Sequence, residues 1–196
     1  TLCILGSGVQ ARSHVKAISC VREVSRIQIW SRTPAHSQAF GEWAQEETGM
    51  NVVVSDSVEL ALSDANVVCT VTAAREPIVA RPWLAEGCHV NAVGSFTPNA
   101  RELDSETIAS SRLFVDSRDS ALTESGDIVI PLAEGAIDVS HIVAELGDLV
   151  TGQSEGRESE REVTVFKSLG LAIEDLVAAK AVYDRAVKDG RGTVIG

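Results

Sequence analysis

Six consecutive residues near the start of the chain, Gly6-Ser7-Gly8-Val9-Gln10-Ala11, have the types and spacing needed to hold a diphosphate. In a strand–turn–helix unit the first glycine of G-x-G-x-x-A permits a tight turn. The second lets the backbone approach pyrophosphate oxygens, and the small sixth residue lets helix pack close to strand. The phosphates then sit over the helix N-terminus, where unpaired N–H groups and the helix dipole favour an anion. A second group, Ser31-Arg32-Thr33-Pro34, follows the apolar run Arg26–Trp30. A site that binds a free ribose 2′-hydroxyl ends this strand in Asp or Glu. Here a guanidinium that can grip a phosphate as a fork stands between two hydroxyls that can donate to it. Gly6, Ser7, Gly8, Val9 and Gln10, together with Ser31, Arg32 and Thr33, therefore read as a site for NADP(H).

Such a site needs strands and helices in alternation. The pattern of apolar residues predicts strands at Leu2–Leu5, Ile27–Trp30, Asn51–Val54, Val67–Val71, His89–Val93 and Leu113–Asp116. Helices are expected from about Val9 to Cys20, from about Ala35 to Thr48 behind Thr33-Pro34, and over Val58–Leu62, Ser105–Ala109 and a short stretch through Ala121. This order implies an α/β fold with a doubly wound parallel sheet of the Rossmann type over residues 1–150. Toward the end of that region Ile142–Val150 reads as a short helix. Residues 151–162 are polar and read as an exposed loop. Val163 to about Lys188 reads as one long amphipathic helix within a 163–196 segment. Its apolar residues, Phe166, Leu169, Ile173, Leu176, Val177 and Val182, exceed what a surface helix needs, so it is expected to pack on a second domain.

Composition narrows the function classes. At 196 residues and 44% hydrophobic, the chain can build a substantial core. The net charge of −11 argues against nucleic acid or an anionic membrane as partner. No apolar run approaches the roughly 18 residues of a membrane span, and no signal-peptide pattern is present. Cys3, Cys20, Cys69 and Cys88 form no C-x-x-C pair and no metal-ligand pattern. They read as free thiols in a reducing cytoplasm.

The motifs ILGSGVQARSH (4–14), IWSRTP (29–34), VTAAREPI (71–78), NAVGSFTPNARELD (91–104), FVDSRDSALTESGD (114–127) and VTVFKSLGLAIEDLVAAKAVYD (163–184) occur in one order along the chain. In these the sequence resembles the ornithine cyclodeaminase/mu-crystallin family, on the side of its mu-crystallin-type ketimine reductases. The resemblance implies a Rossmann domain joined to a substrate and dimerisation domain. The latter is built from about the first third of a family chain and closed by the C-terminal helix. This chain opens directly on its first strand, so that third, with the Arg and Lys residues that hold the substrate carboxylate, is expected to lie outside it. A homodimer is implied for the whole protein.

Carried over by motif, Thr72, Val93 and Ser168 would flank the nicotinamide half of the cofactor, and Glu124 would be the substrate-side carboxylate. One departure discriminates within the family. Cyclodeaminases have an Asp two residues after A-V-G, expected to assist deprotonation of the substrate amines, where this chain has Phe96. A phenyl ring can neither take a proton nor pair with an ammonium. The resemblance therefore implies NADPH-dependent reduction of the C=N bond in small cyclic ketimine carboxylates of the Δ1-pyrroline-2-carboxylate or Δ1-piperideine-2-carboxylate type. It leaves three alternatives: a cyclodeaminase or alanine-type dehydrogenase on the same scaffold, an NADPH-gated protein that holds a thyroid-hormone-like ligand without turnover, or a chain that is not catalytic without its substrate domain.

Overall fold

The computed structural model describes residues 1–193 and 195. Eight strands form one sheet: β1 (Leu2–Leu5), β2 (Arg26–Trp30), β3 (Asn51–Val54), β4 (Val67–Thr70), β5 (His89–Ala92), β6 (Arg112–Val115), β7 (Ile142–Glu145) and β8 (Thr164–Lys167). All pairings are parallel, and the spatial order is β3-β2-β1-β4-β5-β8-β6-β7. The helices are α1 (Val9–Val21), α2 (Pro34–Thr48), α3 (Val58–Leu62), α4 (Ser105–Ala109), α5 (Arg118–Glu124), α6 (Gly126–Ala133), α7 (Leu146–Val150) and α8 (Ala172–Lys188). This is the Rossmann-type α/β fold expected from the alternation of strands and helices.

Alternation along β1 shows why the strands read as continuous apolar runs. Leu2 and Ile4 join a buried cluster with Val15 and Phe40 of α1 and α2. Cys3 and Leu5 join the cluster on the opposite face, with Leu62, Ile108 and Ile128 of α3, α4 and α6. A parallel strand covered on both faces must be apolar at every position. The chain runs outward from β1 to β3 and then crosses back to β4, so the order reverses between β1 and β4. In open α/β sheets the ligand crevice lies outside the carboxyl ends at such a point.

Two segments depart from the sequence expectation. Ile142–Val150, expected to be helical, begins as strand β7 and turns helical only at Leu146. The expected helix from Val163 is a strand first: Thr164–Lys167 inserts between β5 and β6, where Val163 and Val165 bury in the apolar cluster. Gly170, at φ +89°, separates it from α8, because a right-handed helix cannot pass through a left-handed residue. Leu113–Asp116 is therefore not the last strand. Residues 151–162 carry no helix or strand, and Arg157 within them donates to the Thr164 hydroxyl at 3.1 Å. α8 buries none of its residues, and Leu176, Val177, Val182 and Tyr183 are all exposed.

Candidate cofactor and substrate site

The turn after β1 is shaped by two glycines with different tasks. Gly6 has φ +125°, and a Cβ there would meet the Val71 carbonyl oxygen at 2.7 Å. Its own N–H donates to Trp30 O at 2.8 Å, closing the turn against β2. Gly8 caps α1, and a Cβ there would meet nothing within 4 Å. The space above Gly8 is therefore open for a ligand rather than filled by protein. Val9 and Gln10 begin α1, whose first turn carries no acidic residue and no side-chain cap. Its first N–H groups have no helical acceptor and face outward with the positive end of the dipole.

A crevice of about 240 Å³ runs from Gly6, Ser7 and Gly8 to Ser31, Arg32 and Thr33, with Trp30, His36 and Thr72 on its walls. No carboxylate lines it. The Ser7 hydroxyl donates to Ser31 Oγ at 3.1 Å, joining the glycine turn to the end of β2. Arg32 is exposed and makes no ion pair or hydrogen bond among the described residues. Thr33 caps α2 without using its side chain, and Pro34 opens the helix. Two helix N-termini and a free guanidinium thus converge on one open space, an arrangement that favours an anionic ligand.

A second cavity, about 550 Å³, adjoins the first through Val71, Thr72 and Ala73 and extends over β5 and β8. Thr72, Val93, Phe96 and Ser168 all line it, and Gln10 and His14 border it from α1. Phe96 is 68% exposed at its rim. Ser168 reaches the cavity at the carboxyl end of β8, a strand end rather than a position within the long helix expected from the sequence. Its amide donates to Ala92 O at 3.0 Å and its hydroxyl to Asp116 Oδ2 at 3.3 Å. The same Asp116 oxygen takes the amides of Leu169 and Gly170, which fixes the loop that leads into α8.

Glu124 is placed elsewhere. It ends α5, is exposed, and lines neither cavity. The link to the site is local: two residues on, Gly126 N donates to Thr97 O at 3.0 Å, so α5 ends beside the Phe96–Pro98 loop.

Below the second cavity lies a charged network that motif reading passes over. Glu102, Asp127 and Lys167 have side chains withdrawn from solvent. Glu102 Oε1 accepts from the amide and hydroxyl of Thr72, both at 2.7 Å. Its Oε2 accepts from the Thr70 hydroxyl at 2.7 Å and the Gly94 amide at 2.8 Å. Asp127 Oδ1 accepts from the amides of Glu102 and Leu103, and Oδ2 pairs with Lys167 Nζ at 3.2 Å. Burial pushes the Glu102 carboxyl above its usual range, and the Thr70 and Thr72 hydrogen bonds oppose that. One signal is available in the sequence: Lys167 is the lone charge in the run VTVFKSLG.

The fold and crevice define the class first: a Rossmann-type domain with an open, anion-favouring crevice at its switch point. The chain belongs to the ornithine cyclodeaminase/mu-crystallin family, whose model matches residues 1–190. It is 42% identical over 193 residues to a Δ1-pyrroline-2-carboxylate reductase of Bacillus cereus, covering 98% of this chain and 59% of that protein. To the ketimine reductase mu-crystallin of Mus musculus it is 43% identical over 183 residues, covering 93% and 54%. Among solved structures it is similar to Thermococcus litoralis Δ1-pyrroline-2-carboxylate reductase in complex with NADH and L-proline, with a TM-score of 0.96 and 43% identity. That match covers 99% of this chain and 60% of the other. The chain thus spans less than two thirds of the length of these relatives. Among the described residues no helix is long and apolar enough to cross a membrane, and no group of three or more His, Cys, Asp or Glu is placed to hold a metal ion.

Proposed function

We propose that the protein is an NADPH-dependent reductase of small cyclic ketimine carboxylates, of the Δ1-pyrroline-2-carboxylate or Δ1-piperideine-2-carboxylate type. The observation that carries this reading is the chemistry of the second cavity. No carboxylate lines it: Phe96 stands at its rim, Glu102 is buried behind its wall, and His14 is its one titratable lining residue. A cavity lined by no carboxylate, with Phe96 where cyclodeaminases carry an Asp, suits hydride delivery to an already electrophilic carbon better than deamination of an amino acid, which needs a proton acceptor at that place. The pyrroline-carboxylate and ketimine reductases among the relatives support the same choice.

The nicotinamide, when bound, supplies the hydride for the imine carbon. The chain's own residues supply position. Gly6, Ser7, Gly8, Val9 and Gln10 hold the diphosphate over α1. Ser31, Arg32 and Thr33 take the 2′-phosphate, which is why NADPH is proposed over NADH. Thr72, Val93 and Ser168 wall the nicotinamide subsite, and Phe96 excludes water from one side of the substrate. Glu124, beside the Phe96 loop, is proposed as the carboxylate whose charge favours the protonated imine, acting through space rather than by proton transfer.

We place the exposed helix Ala172–Lys188 in the substrate and dimerisation part of the family fold. Its row of exposed apolar side chains supports this, as it does a homodimer. Four free cysteines, three of them buried, support a reducing cytoplasmic location.

The test is to follow NADPH consumption with the two cyclic imines and, in parallel, ammonia release from L-ornithine. Imine-dependent oxidation of NADPH without ammonia release is the expected result, with E124Q slower in turnover and unchanged in NADPH binding. Ammonia release from ornithine would place the protein with the cyclodeaminases. Saturable imine binding without any NADPH consumption would favour a binding protein.

A further inference from the structure

Glu102 is assigned no part in binding or chemistry by the motifs, yet it is the residue that joins the two walls of the second cavity. Its carboxylate receives four donors, from Thr70 and Thr72 at the end of β4 and from Gly94 just past β5. The fit is close on every side. A Cβ on Gly94 would lie 2.6 Å from Glu102 Oε1 and also against the Thr72 backbone, so only glycine leaves room for the carboxylate. The amides of Glu102 and Leu103 are in turn held by Asp127, which Lys167 anchors from β8. Three adjacent strand ends are therefore set by one buried chain of charges, and that chain carries one more negative than positive group.

We propose that Glu102 is the positioning residue of the nicotinamide subsite, and that its buried negative charge favours the oxidised, cationic nicotinamide ring over the reduced one. This rests on the cofactor reading given above. The direct contacts are with Thr72 and Gly94, which line the cavity; Glu102 itself lies behind them. A fixed anion withdrawn from solvent attracts a cationic ring and has no such attraction for its neutral reduced form.

The hydrogen bonds explain why a neutral isostere cannot substitute. Each carboxylate oxygen takes one backbone N–H, from Thr72 on Oε1 and from Gly94 on Oε2. A glutamine amide, whichever way it is turned, presents its NH2 to one of them. A threonine hydroxyl could rotate to accept; a backbone N–H cannot. E102Q thus removes the charge and sets one wall of the cavity against a donor.

The experiment measures affinities of the wild type, E102Q and T70V for adenosine 2′,5′-bisphosphate, NADP+ and NADPH by calorimetry. T70V removes one hydroxyl donor and leaves both amide contacts, so it keeps the test open if E102Q does not fold. For E102Q, bisphosphate affinity should be unchanged, NADP+ binding about tenfold weaker, and NADPH binding weakened less. T70V, which loosens the carboxylate but keeps its charge, should weaken NADP+ and NADPH alike by a smaller factor and leave bisphosphate affinity unchanged. An unchanged NADP+ to NADPH affinity ratio in E102Q, unchanged dinucleotide affinities in T70V, or an equal loss for all three ligands in either variant would overturn the proposal. If the wild type binds no bisphosphate, the cofactor reading itself fails, and this inference falls with it.

Discussion

At the end of β2, Arg32 stands exposed with no partner among the described residues, and the α1 and α2 N-termini beside it carry no acidic group and no side-chain cap. At the ends of β4, β5 and β8, by contrast, Glu102, Asp127 and Lys167 are engaged with one another and with the backbone and are closed to solvent. On the proposed reading, one edge of a single sheet meets the two ends of a dinucleotide with different chemistry. The first half offers free donors and positive charge, and so selects by electrostatics. The second half uses its charges internally, holding strand ends at fixed spacing and keeping its net charge behind the cavity wall. The difference also predicts where damage will fall. Substitutions in the first half should cost binding with little loss of stability, whereas those in the second should cost stability first.

The largest effect is expected from Lys167→Met. It leaves Asp127 buried without its countercharge, for which a loss of about 3–5 kcal/mol is typical. Urea denaturation reads this directly, and the double variant K167M/D127N should be less destabilised than K167M alone. Equal stability of K167M and the wild type would mean that the pair does not organise the second half.

Next in size is Gly8→Ala. Its Cβ meets nothing in the protein, so stability should change by less than about 1 kcal/mol. Dinucleotide affinity should nevertheless fall at least tenfold, about 1.4 kcal/mol, because the methyl occupies the approach to the diphosphate. Gly6→Ala is its counterpart: with φ +125° and the Val71 carbonyl in the way, it should unfold more readily before any ligand is added. If the two variants behaved alike, the division of tasks between the glycines would be wrong.

The smallest effect concerns His89, whose Nδ1 meets the Thr164 hydroxyl at 2.7 Å on the sheet face under the Arg157 loop. Burial holds its pKa below the ordinary range, with Arg157 and Arg22 adding to the effect and the hydrogen bond to Asn91 opposing it. The unfolded chain takes up this proton near pH 6.5 (about the free histidine value), whereas the folded protein resists it. The stability linked to His89 is therefore present above about pH 6.5 and is lost as pH falls below it. His89→Gln should flatten the acid side of a Tm against pH curve. An unchanged slope would put the acid sensitivity elsewhere.

The two halves also differ in how readily the sequence discloses them. Gly6 to Ala11 and Ser31 to Thr33 are contiguous, and each acts through the local backbone, so strand, turn and helix can be placed from spacing alone. Glu102, Asp127 and Lys167 come from three separate segments and meet only because Thr164–Lys167 inserts between β5 and β6. That insertion is out of chain order, and no local pattern encodes it. In Val163–Leu169 the apolar positions fit a helix face as well as a strand, and the β-branched Val163, Thr164 and Val165 are the cue that points the other way. Ser168 does line the second cavity, although from a strand end rather than a helix. Glu124 is carried over by motif alone, and the fold leaves it outside both cavities.

Recognition of a 2′-phosphate by the free Arg32 end of the sheet edge is the central claim. Parallel titrations with NADPH and NADH test it most directly, read through the emission of Trp30, which lines the crevice beside Arg32. NADPH should bind at least tenfold tighter, about 1.4 kcal/mol, and Arg32→Ala should abolish most of that preference while leaving NADH affinity and stability in place. Equal or tighter binding of NADH by the wild type would contradict the claim and place the chain with NAD-linked members of the family.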